Sequence, residues 1–393
     1  MKLQRKPLAL LLLIGFGHAL AATPAPELPP DEIVARVLRG NPGVQAAASQ
    51  IRVEEANRSR LEAGNYEWNV RLGGQQRRVR PASAGDEQFN EWNAAIERPL
   101  RLPGKGALDA ELGAGGVALA ETAYGDTLHE SSRSLLKLWF AWLKESASAS
   151  QWREQAALLG KQNAAVTRRQ QLGDAARLDS VQSEAALAQA EAQLAQASVR
   201  QQTAGEDLRR RFPGLPVVAP AALSEPAAIA GSEEEWVNAL LEHSHELQLA
   251  RQEAKQARVF AGRSSHDRLP DPTVGLQVSR ERAGEERIIG AYVSIPLPGT
   301  ARRASSDAAL AMADGAARRE AAAQQKITAE AVALYQSAQA AVASWQASRH
   351  AGERLGRAAE MTARAYQLGE GSLSDLLTAR RLANEAQLAS RLA

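Results

Sequence analysis

The chain contains no cysteine, and this absence excludes two arrangements. A disulfide framework cannot stabilise the fold, so stability must come from packing. A lipid anchor on a mature N-terminal cysteine is excluded as well. Long apolar stretches are also missing, because beyond the first 22 residues no segment reaches the roughly 18 uninterrupted apolar residues of a helical membrane span. If the chain enters a membrane, it must do so as strands.

An excess of charge of either sign is absent too. The chain has 47 Lys and Arg against 45 Asp and Glu, and three of the cations (Lys2, Arg5 and Lys6) lie at its start. The remainder is nearly neutral, which gives no support for nucleic-acid binding.

Catalytic signatures are missing: no Gly-x-Ser-x-Gly, His-Glu-x-x-His or phosphate-loop motif occurs. His243 and His245 would diverge on a helix and have no carboxylate framework around them, so no metal site is expected. We therefore expect neither an enzyme nor a bound cofactor.

The first 22 residues are typical of a secretory signal peptide. A charged start is followed by the apolar run Leu8–Phe16 and by Ala19-Leu20-Ala21, a small-residue cleavage site. The apolar run is too short for the alternative, a transmembrane anchor. A proline-rich leader follows at 23–30.

The rest of the sequence indicates a duplication. Proline-glycine motifs stand at 98–104 and 295–299, and Leu-Gly-acid motifs stand at 172–174 and 368–370. Each motif lies about 196 residues from its twin, which is typical of a repeated structural unit. We predict a first repeat at 31–212, a linker or equatorial crossover at 213–232 and a second repeat at 233–393. Each repeat would contain a half-length helix, a strand pair, a long helix and a return helix.

The half-length helices would run about 32 residues each. The first begins at Asp31, which we expect to be its N-cap, is interrupted at 41–43 and ends near Glu62. The second runs from Glu233 to about Arg263.

Four segments alternate apolar and polar residues, as the strands of a membrane barrel do. They are Glu67–Val79, Gln88–Arg98, Thr273–Ser279 and Arg287–Ile295. Two ordinary soluble hairpins are the alternative interpretation. Four strands cannot close a barrel, and lipid does not tolerate open edges, so several chains must pool their strands. Three copies would supply twelve, and in a bacterial cell the membrane would be the outer one.

The absence of proline predicts the longest elements. No proline occurs between Gly104 and Gln170 or between Thr300 and Gln367, and each stretch would measure about 100 Å as one helix. A return helix from Asp174 to Arg211 would measure about 55 Å. We expect it to stack end to end on the half-length helix of the other repeat.

The first return helix carries apolar or small residues at every seventh position, which indicates coiled-coil packing. These residues are Leu178, Ala185 and Ala192, then Val181, Ala188 and Ala195, and finally Leu187 and Leu194. The second return helix is shorter by about 20 Å, so the wall of a helical tunnel would be incomplete there. The predicted fold class is mainly α with a small membrane β part, built from duplicated long-helix hairpins and four strands per chain.

In this order of elements the chain resembles the TolC family of outer-membrane efflux factors, over about 31–393. The motif at 365–377 (Ala-Tyr-Gln-Leu-Gly-Glu-Gly-Ser-Leu-Ser-Asp-Leu-Leu) is similar to the Tyr-x-x-Gly…Ser-x-x-Asp-Leu-Leu turn of that family. The proline-glycine strand exits look most like those of members that serve heavy-metal or cation pumps. The resemblance implies a homotrimer with a twelve-stranded β-barrel in outer-membrane lipid and an α-helical tunnel across the periplasm.

The resemblance also implies roles at the two Leu-Gly turns. Leu172, Gly173, Leu368 and Gly369 would form the periplasmic tip, where a periplasmic adaptor (membrane fusion) protein docks. The glycines are also expected as helix C-caps, since glycine after a helix commonly adopts the left-handed conformation.

Three further residues match family positions at the tunnel entrance. Asp375 matches one position of a carboxylate ring, whereas a second acidic position is Thr378 here and a tip arginine is Gly371. Asp179 and Tyr366 match a pair that the family can link across neighbouring helices as a lock. Asp179 and Asp375 have an alternative role as helix-start carboxylates favoured by the helix dipole.

The resulting functional expectation is an outer-membrane channel of a tripartite efflux or type I secretion system. It would passively conduct substrates delivered by an inner-membrane pump, of RND type, and a periplasmic adaptor. Its location would be the cell outer membrane, with the tunnel extending into the periplasm. The alternative is a periplasmic coiled-coil interaction or adaptor protein, but an adaptor would carry one helical hairpin and this chain has two.

Overall fold

The computed structural model describes residues 27–80, 85–220 and 223–393. The predicted signal peptide and residues 23–26 of the leader lie outside the described residues. The described part contains a helix pair, a strand pair, a long helix and a return helix, and then the same series again. The elements are α1 (Asp31–Arg39), α2 (Pro42–Ala63), β1 (Asn69–Val79), β2 (Glu87–Pro99), α3 (Lys105–Gln171), α4 (Arg177–Arg211), α5 (Glu233–His243), α6 (His245–His266), β3 (Thr273–Glu281), β4 (Glu286–Ser294), α7 (Thr300–Gln367) and α8 (Leu373–Leu392). The predicted fold class, mainly α with four strands, is confirmed.

Both half-length helices are broken about a third of the way along, into segments of 9 and 22 residues and of 11 and 22 residues. The first is interrupted where predicted, and the Asn41 side chain caps α2 by accepting the N–H of Gly43 at 2.8 Å. No interruption was predicted for the second, but Ser244 adopts an extended conformation and its hydroxyl accepts the N–H of Leu247. Serine competes in this way with the helical hydrogen bonds. The predicted N-cap role of Asp31 is wrong, because Pro30 occupies the cap position and Asp31 lies in the first turn.

The two long helices have the predicted length. α3 contains 67 residues and α7 contains 68, so each measures about 100 Å. α2 and α4 both pack on α3, while α5, α6 and α8 pack on α7. α3 also contacts α6 and α8, which joins the two halves of the chain.

The end of α4 meets α1 rather than the half-length helix of the other repeat, so the predicted stacking partner is wrong. Leu208 and Phe212 from the end of α4 share one buried cluster with α1 and with the two tryptophans of α3, whose ring centroids are 5.1 Å apart. The cluster consists of Val37, Leu38, Leu135, Trp139, Trp142, Leu143, Leu208, Phe212 and Leu215.

The seven-residue spacing in α4 is confirmed, but the predicted stripe is only partly correct. The side chains that α4 buries at this spacing are Ser183, Ala190 and Ala197, with Leu187 and Leu194 packed partly buried between them. These five residues alternate steps of four and three, as in a coiled-coil seam. The other predicted residues are exposed in the chain: Leu178, Val181, Ala185, Ala188, Ala192 and Ala195.

The four strands form one antiparallel sheet in the order β1-β2-β3-β4. The pairing of β2 with β3 connects the two halves of the chain, and β1 and β4 are the edges. The predicted strand bounds agree with the structure to within two residues. None of the helices in the part of the chain that the structure describes combines the length and the apolar character needed to cross a membrane.

Candidate functional site

One face of the sheet is apolar, and none of the residues that the structure describes covers it. The register aligns apolar side chains across all four strands, and Leu72 is 77% exposed. Two such rows are Val70, Ile96, Leu276 and Ala291, followed by Leu72, Ala94, Val278 and Ile289. Exposed apolar residues continue just past β4 at Ile295 and Leu297. As an extended chain, the segment from Ile289 to Leu297 would measure about 27 Å, comparable to the apolar band of about 25 Å in outer-membrane barrels.

The opposite face of the sheet is polar and internally paired. Arg71 lies 2.9 Å from Glu97, and Arg77 lies 2.6 Å from Glu281 and 3.2 Å from Glu91. The Tyr292 hydroxyl of β4 donates to Glu97 of β2, across the intervening strand β3. Its ring passes directly over Gly275, where an added Cβ would lie 2.4 Å from the ring, so only glycine permits this crossing. The sheet therefore has one surface suited to lipid and one suited to water.

A group of charged residues, the junction cluster, joins the strands to the helices. It consists of Arg101, Lys105, Asp109, Arg263, Asp267 and Asp271. The Lys105 ammonium is buried and lies 3.0 Å from both Asp267 and Asp271, and it also donates to the Leu269 carbonyl at 2.8 Å. Burial by itself raises the pKa of Asp271, but the Leu102 N–H, Lys105 and the Tyr66 hydroxyl hold that pKa below its ordinary value.

The second half of the junction cluster is centred on Asp109, which accepts from Arg263 and lies 3.7 Å from Arg101. Arg101 donates to the last carbonyls of α2 (Leu61 and Glu62) and stacks on the Tyr66 ring at 4.6 Å. The cluster thus connects the end of α2, the start of α3 and the end of α6. The cluster was not predicted from the sequence, although Arg101 and Lys105 stand in and next to the motif at 98–104.

The two predicted tips have the same backbone geometry. Leu172 and Leu368 both have φ −84° and ψ −3°, and Gly173 and Gly369 both have φ +79°. In each turn the glycine N–H and the following N–H bond back to the last helical turn, at distances of 2.8–3.1 Å. This is the Schellman C-cap, and the left-handed glycine is what allows it. The predicted C-cap role of both glycines is confirmed.

Both tips are open to solvent within the described part of the chain. Leu172 is 71% exposed and Leu368 is 76% exposed, and a Cβ added to Gly173 or Gly369 would meet nothing within 4 Å. The leucines therefore project as two equivalent apolar points at the same end of the helices. Their predicted role in adaptor docking stays a prediction.

Side chains from both hairpins meet beside the tips. Leu373 and Leu376 of α8 are buried against Val166 of α3, with Tyr366 partly buried next to them. The Arg169 guanidinium lies over the Tyr366 ring at 5.5 Å and donates to Asp174 at 3.0 Å. This contact between the two hairpins was not foreseen from the sequence.

The predicted pair Asp179 and Tyr366 shares this neighbourhood but not a hydrogen bond within the described chain. The hydrogen bond to Asp174 is the main cause that raises the pKa of Arg169, and the charge of Asp179 adds to it. In a single chain Arg169 therefore interacts with both residues, by stacking on the Tyr366 ring and through the charge of Asp179. The lock between neighbouring helices remains a prediction.

Asp375 lies in the first turn of α8, as its alternative role requires. Its carboxylate accepts the Ser372 hydroxyl at 2.6 Å, and the Ser372 oxygen accepts the Asp375 N–H at 3.1 Å. The residue is exposed, and the cap of α8 is Ser372, to which Asp375 is bonded. Its predicted place in an entrance ring concerns a trimer and stays a prediction.

Comparison with known proteins identifies the fold. No protein-family model matches the sequence, and no curated protein matches it. Solved outer-membrane channels match the structure over nearly all of its length. The outer membrane protein VceC of Vibrio cholerae has a TM-score of 0.71 at 17% identity, covering 92% of this chain and 91% of its own. The CmeC outer membrane channel of Campylobacter jejuni has a TM-score of 0.70 at 14% identity, with coverage of 92% and 81%.

The open state of the MtrE outer membrane channel of Neisseria gonorrhoeae has a TM-score of 0.72 at 17% identity, covering 94% of this chain and 85% of its own. The chain therefore has the fold of these outer-membrane channels. The resemblance to the TolC family is confirmed at the level of the fold.

Proposed function

We propose that this chain forms a passive outer-membrane channel of a tripartite efflux or type I secretion system. Export through the signal peptide would deliver it to the cell outer membrane, and the helices would extend from the sheet into the periplasm. The channel would need neither catalysis nor a cofactor, because transport requires only a water-filled path. A place among heavy-metal or cation systems belongs to the same proposal.

The observation that carries the proposal is the two-faced sheet with open edges. β1 and β4 each have one partner strand, so one side of each carries unpaired backbone groups. Such groups are costly in lipid and require a neighbouring strand. Pairing β4 of one copy with β1 of the next closes a barrel of twelve strands in a homotrimer, an even number within the known range. The apolar face then contacts lipid and the paired charges line the lumen.

The helical part supports a tunnel below this barrel. Two long helices of about 100 Å, each accompanied by shorter packed helices, occur in every copy, so three copies would surround a path of that length. The repeats at 31–212 and 233–393, joined by the crossover at 213–232, would be its two structural units. The exposed tips at Leu172-Gly173 and Leu368-Gly369 would receive a periplasmic adaptor, which connects the channel to an inner-membrane pump of the RND type.

Neighbouring residues on opposite faces of β3 provide the test. Leu276→Arg places a charge on the apolar face, whereas Gln277→Arg places the same charge on the polar face. An arginine facing mid-bilayer lipid costs about 2–4 kcal/mol, so Leu276→Arg should reduce the amount of assembled trimer in the outer membrane. Gln277→Arg should leave it unchanged. Equal amounts of trimer from both variants would contradict the assignment of the faces.

Fractionation separates the proposal from a periplasmic coiled-coil interaction protein. The channel should be recovered from the outer membrane as a detergent-resistant trimer. A soluble periplasmic monomer would support the rival function instead. The exposed apolar face of the sheet favours the channel, because a soluble protein would leave this surface in water.

A further inference from the structure

Charged side chains are divided unequally between the two faces of the sheet. Within the four strands every acidic residue lies on the polar face, together with Arg71 and Arg77. These acids are Glu87, Glu91, Glu97, Glu281 and Glu286. The charged residues of the apolar face are arginines alone: Arg78, Arg98, Arg280 and Arg287. The face that should contact the membrane is therefore cationic wherever it is charged.

Two of these arginines stand in an unfavourable arrangement. Arg280 of β3 and Arg287 of β4 are directly opposite each other in the register. Like charges in this position destabilise a strand pair. Both side chains are exposed, and neither forms an ion pair with any residue that the structure describes. Arg98 differs, since it donates to the Tyr66 carbonyl and stacks on Trp68.

The location of the pair in the sheet indicates which ligand could offset the repulsion between the two arginines. The row of Arg280 and Arg287 also contains Trp92 of β2, which is exposed. It directly follows the apolar row of Val278 and Ile289, at the end of the sheet opposite to the helices. An apolar band that ends in tryptophan and arginine is typical of the boundary between hydrocarbon and lipid headgroups.

We propose that Arg280 and Arg287 form a binding site for the phosphate groups of lipids in the outer leaflet. Phosphate accepts paired hydrogen bonds from the planar guanidinium group, and one phosphate between the two arginines would neutralise their repulsion. The proposal rests on the proposed function, because insertion of the sheet sets the arginines at the height of the headgroups. The charges of the polar face take no part, since they lie on the other face of the sheet, where Arg71 and Arg77 pair with Glu91, Glu97 and Glu281.

The test is a titration of the detergent-solubilised full chain with short-chain phosphatidic acid, followed by native mass spectrometry. Phosphatidylcholine of the same chain length and inorganic phosphate are the comparison probes. The wild type should bind phosphatidic acid more tightly than phosphatidylcholine. In Arg280→Gln/Arg287→Gln the affinity for phosphatidic acid should fall about 30-fold, since each arginine near an anionic surface contributes about 1 kcal/mol and about 1.4 kcal/mol is tenfold.

The matched control is Arg318→Gln/Arg319→Gln, which removes two exposed arginines of α7 far from the sheet and should leave lipid binding unchanged. A second variant distinguishes the loss of the site from misfolding of the sheet. Arg287→Glu places an opposite charge across from Arg280, so the strand pair should be at least as stable while the site is lost. Its affinity for phosphatidic acid should fall as in the double variant.

Three results would overturn the proposal: equal affinity of the wild type for both lipids, unchanged phosphatidic acid binding in the variants, or equally tight binding of inorganic phosphate. The last result would identify a site for free anions instead of lipid. Insertion of the wild type into phosphatidylcholine vesicles is measured separately. Failure to insert contradicts the proposed function, whereas insertion without a preference for phosphatidic acid contradicts only the lipid site.

Discussion

Replacement of Lys105 by methionine tests whether the junction cluster holds the strands to the helices. Lys105 is 1% exposed, and its ammonium contacts two carboxylates and a carbonyl that come from the segment after α6. Methionine retains an unbranched apolar side chain of similar length but removes the charge and the donors. Asp267 and Asp271 would then lose the cation that they share.

The expected loss in the free energy of unfolding depends on the partners that each carboxylate keeps after the substitution. Removing one partner of a buried ion pair costs about 3–5 kcal/mol. Here Asp271 keeps the Leu102 N–H and the Tyr66 hydroxyl, and Asp267 is 44% exposed and keeps Arg263. Water and these partners compensate part of the loss. We therefore expect a loss of about 2–3 kcal/mol in the free energy of unfolding, below the full range for a buried pair.

Lys326→Met is the matched control. Lys326 also joins two helices, through Glu246 of α6 at 2.8 Å, but both side chains are about half exposed. Exposed pairs contribute little to stability. Urea unfolding of the detergent-purified proteins, followed by circular dichroism at the helical signal, should show a lower midpoint for Lys105→Met and an almost unchanged one for Lys326→Met. Equal shifts in both variants would refute the stabilising role of the junction cluster.

The pH dependence of this loss of stability tests whether the loss comes from the ion pairs of Lys105. Burial alone raises the pKa of Asp267 and Asp271, but their hydrogen-bonding partners, Lys105 among them, hold both pKa values below the ordinary range. Such groups stabilise the fold above the unfolded pKa of about 3.9, and this stabilisation is lost as the pH falls through the lowered folded pKa. The difference between wild type and Lys105→Met should therefore shrink in acid, towards and below about pH 4. A difference that persists there would mean that the lysine stem acts by packing.

Three further predictions concern the tips. A bulky residue at Gly173 or Gly369 should abolish export without reducing trimer abundance, because it strains the left-handed turn and obstructs a docking helix; normal export with both positions changed would contradict the docking role. Asp375→Asn keeps an acceptor for the helix cap but removes the charge, so block by a trivalent cation in planar bilayers should weaken if the residue lines the pore; unchanged block would leave it a helix-start residue. Changing Asp179 to asparagine or Tyr366 to phenylalanine should raise the open probability of purified trimers, whereas wild-type gating in both would exclude the lock.

The sequence predicted the elements that local rules decide. Absence of proline located α3 and α7 to within one residue at each end, because a continuous helix needs every backbone donor. Alternation located the strands to within two residues, since side chains of a strand point to opposite faces. The left-handed glycines of the tips were predictable as well, because few other residues adopt that backbone conformation.

Features that depend on contacts between distant residues were harder to predict from the sequence. The spacing of α4 was correct, yet it could not identify the buried stripe, because Ser183 and Ala190 carry less apolar surface than the exposed Leu178. The contact surface of α3 selects the stripe instead. The junction cluster was missed for a related reason, since Lys105 and Asp267 are 162 residues apart and only the fold brings them together.

The tip of the second hairpin shows how charge and turn geometry can be supplied by different segments. At the position where the TolC family carries a tip arginine this chain has Gly371, which leaves the turn itself without that cation. An added Cβ at Gly371 would lie 3.4 Å from the Tyr366 nitrogen, so a side chain there would start against the last turn of α7. Arg169 reaches Tyr366 from the other hairpin instead. The two hairpins of one chain are thus connected at their tips by a cation and an aromatic ring, and separating the hairpins must break this contact.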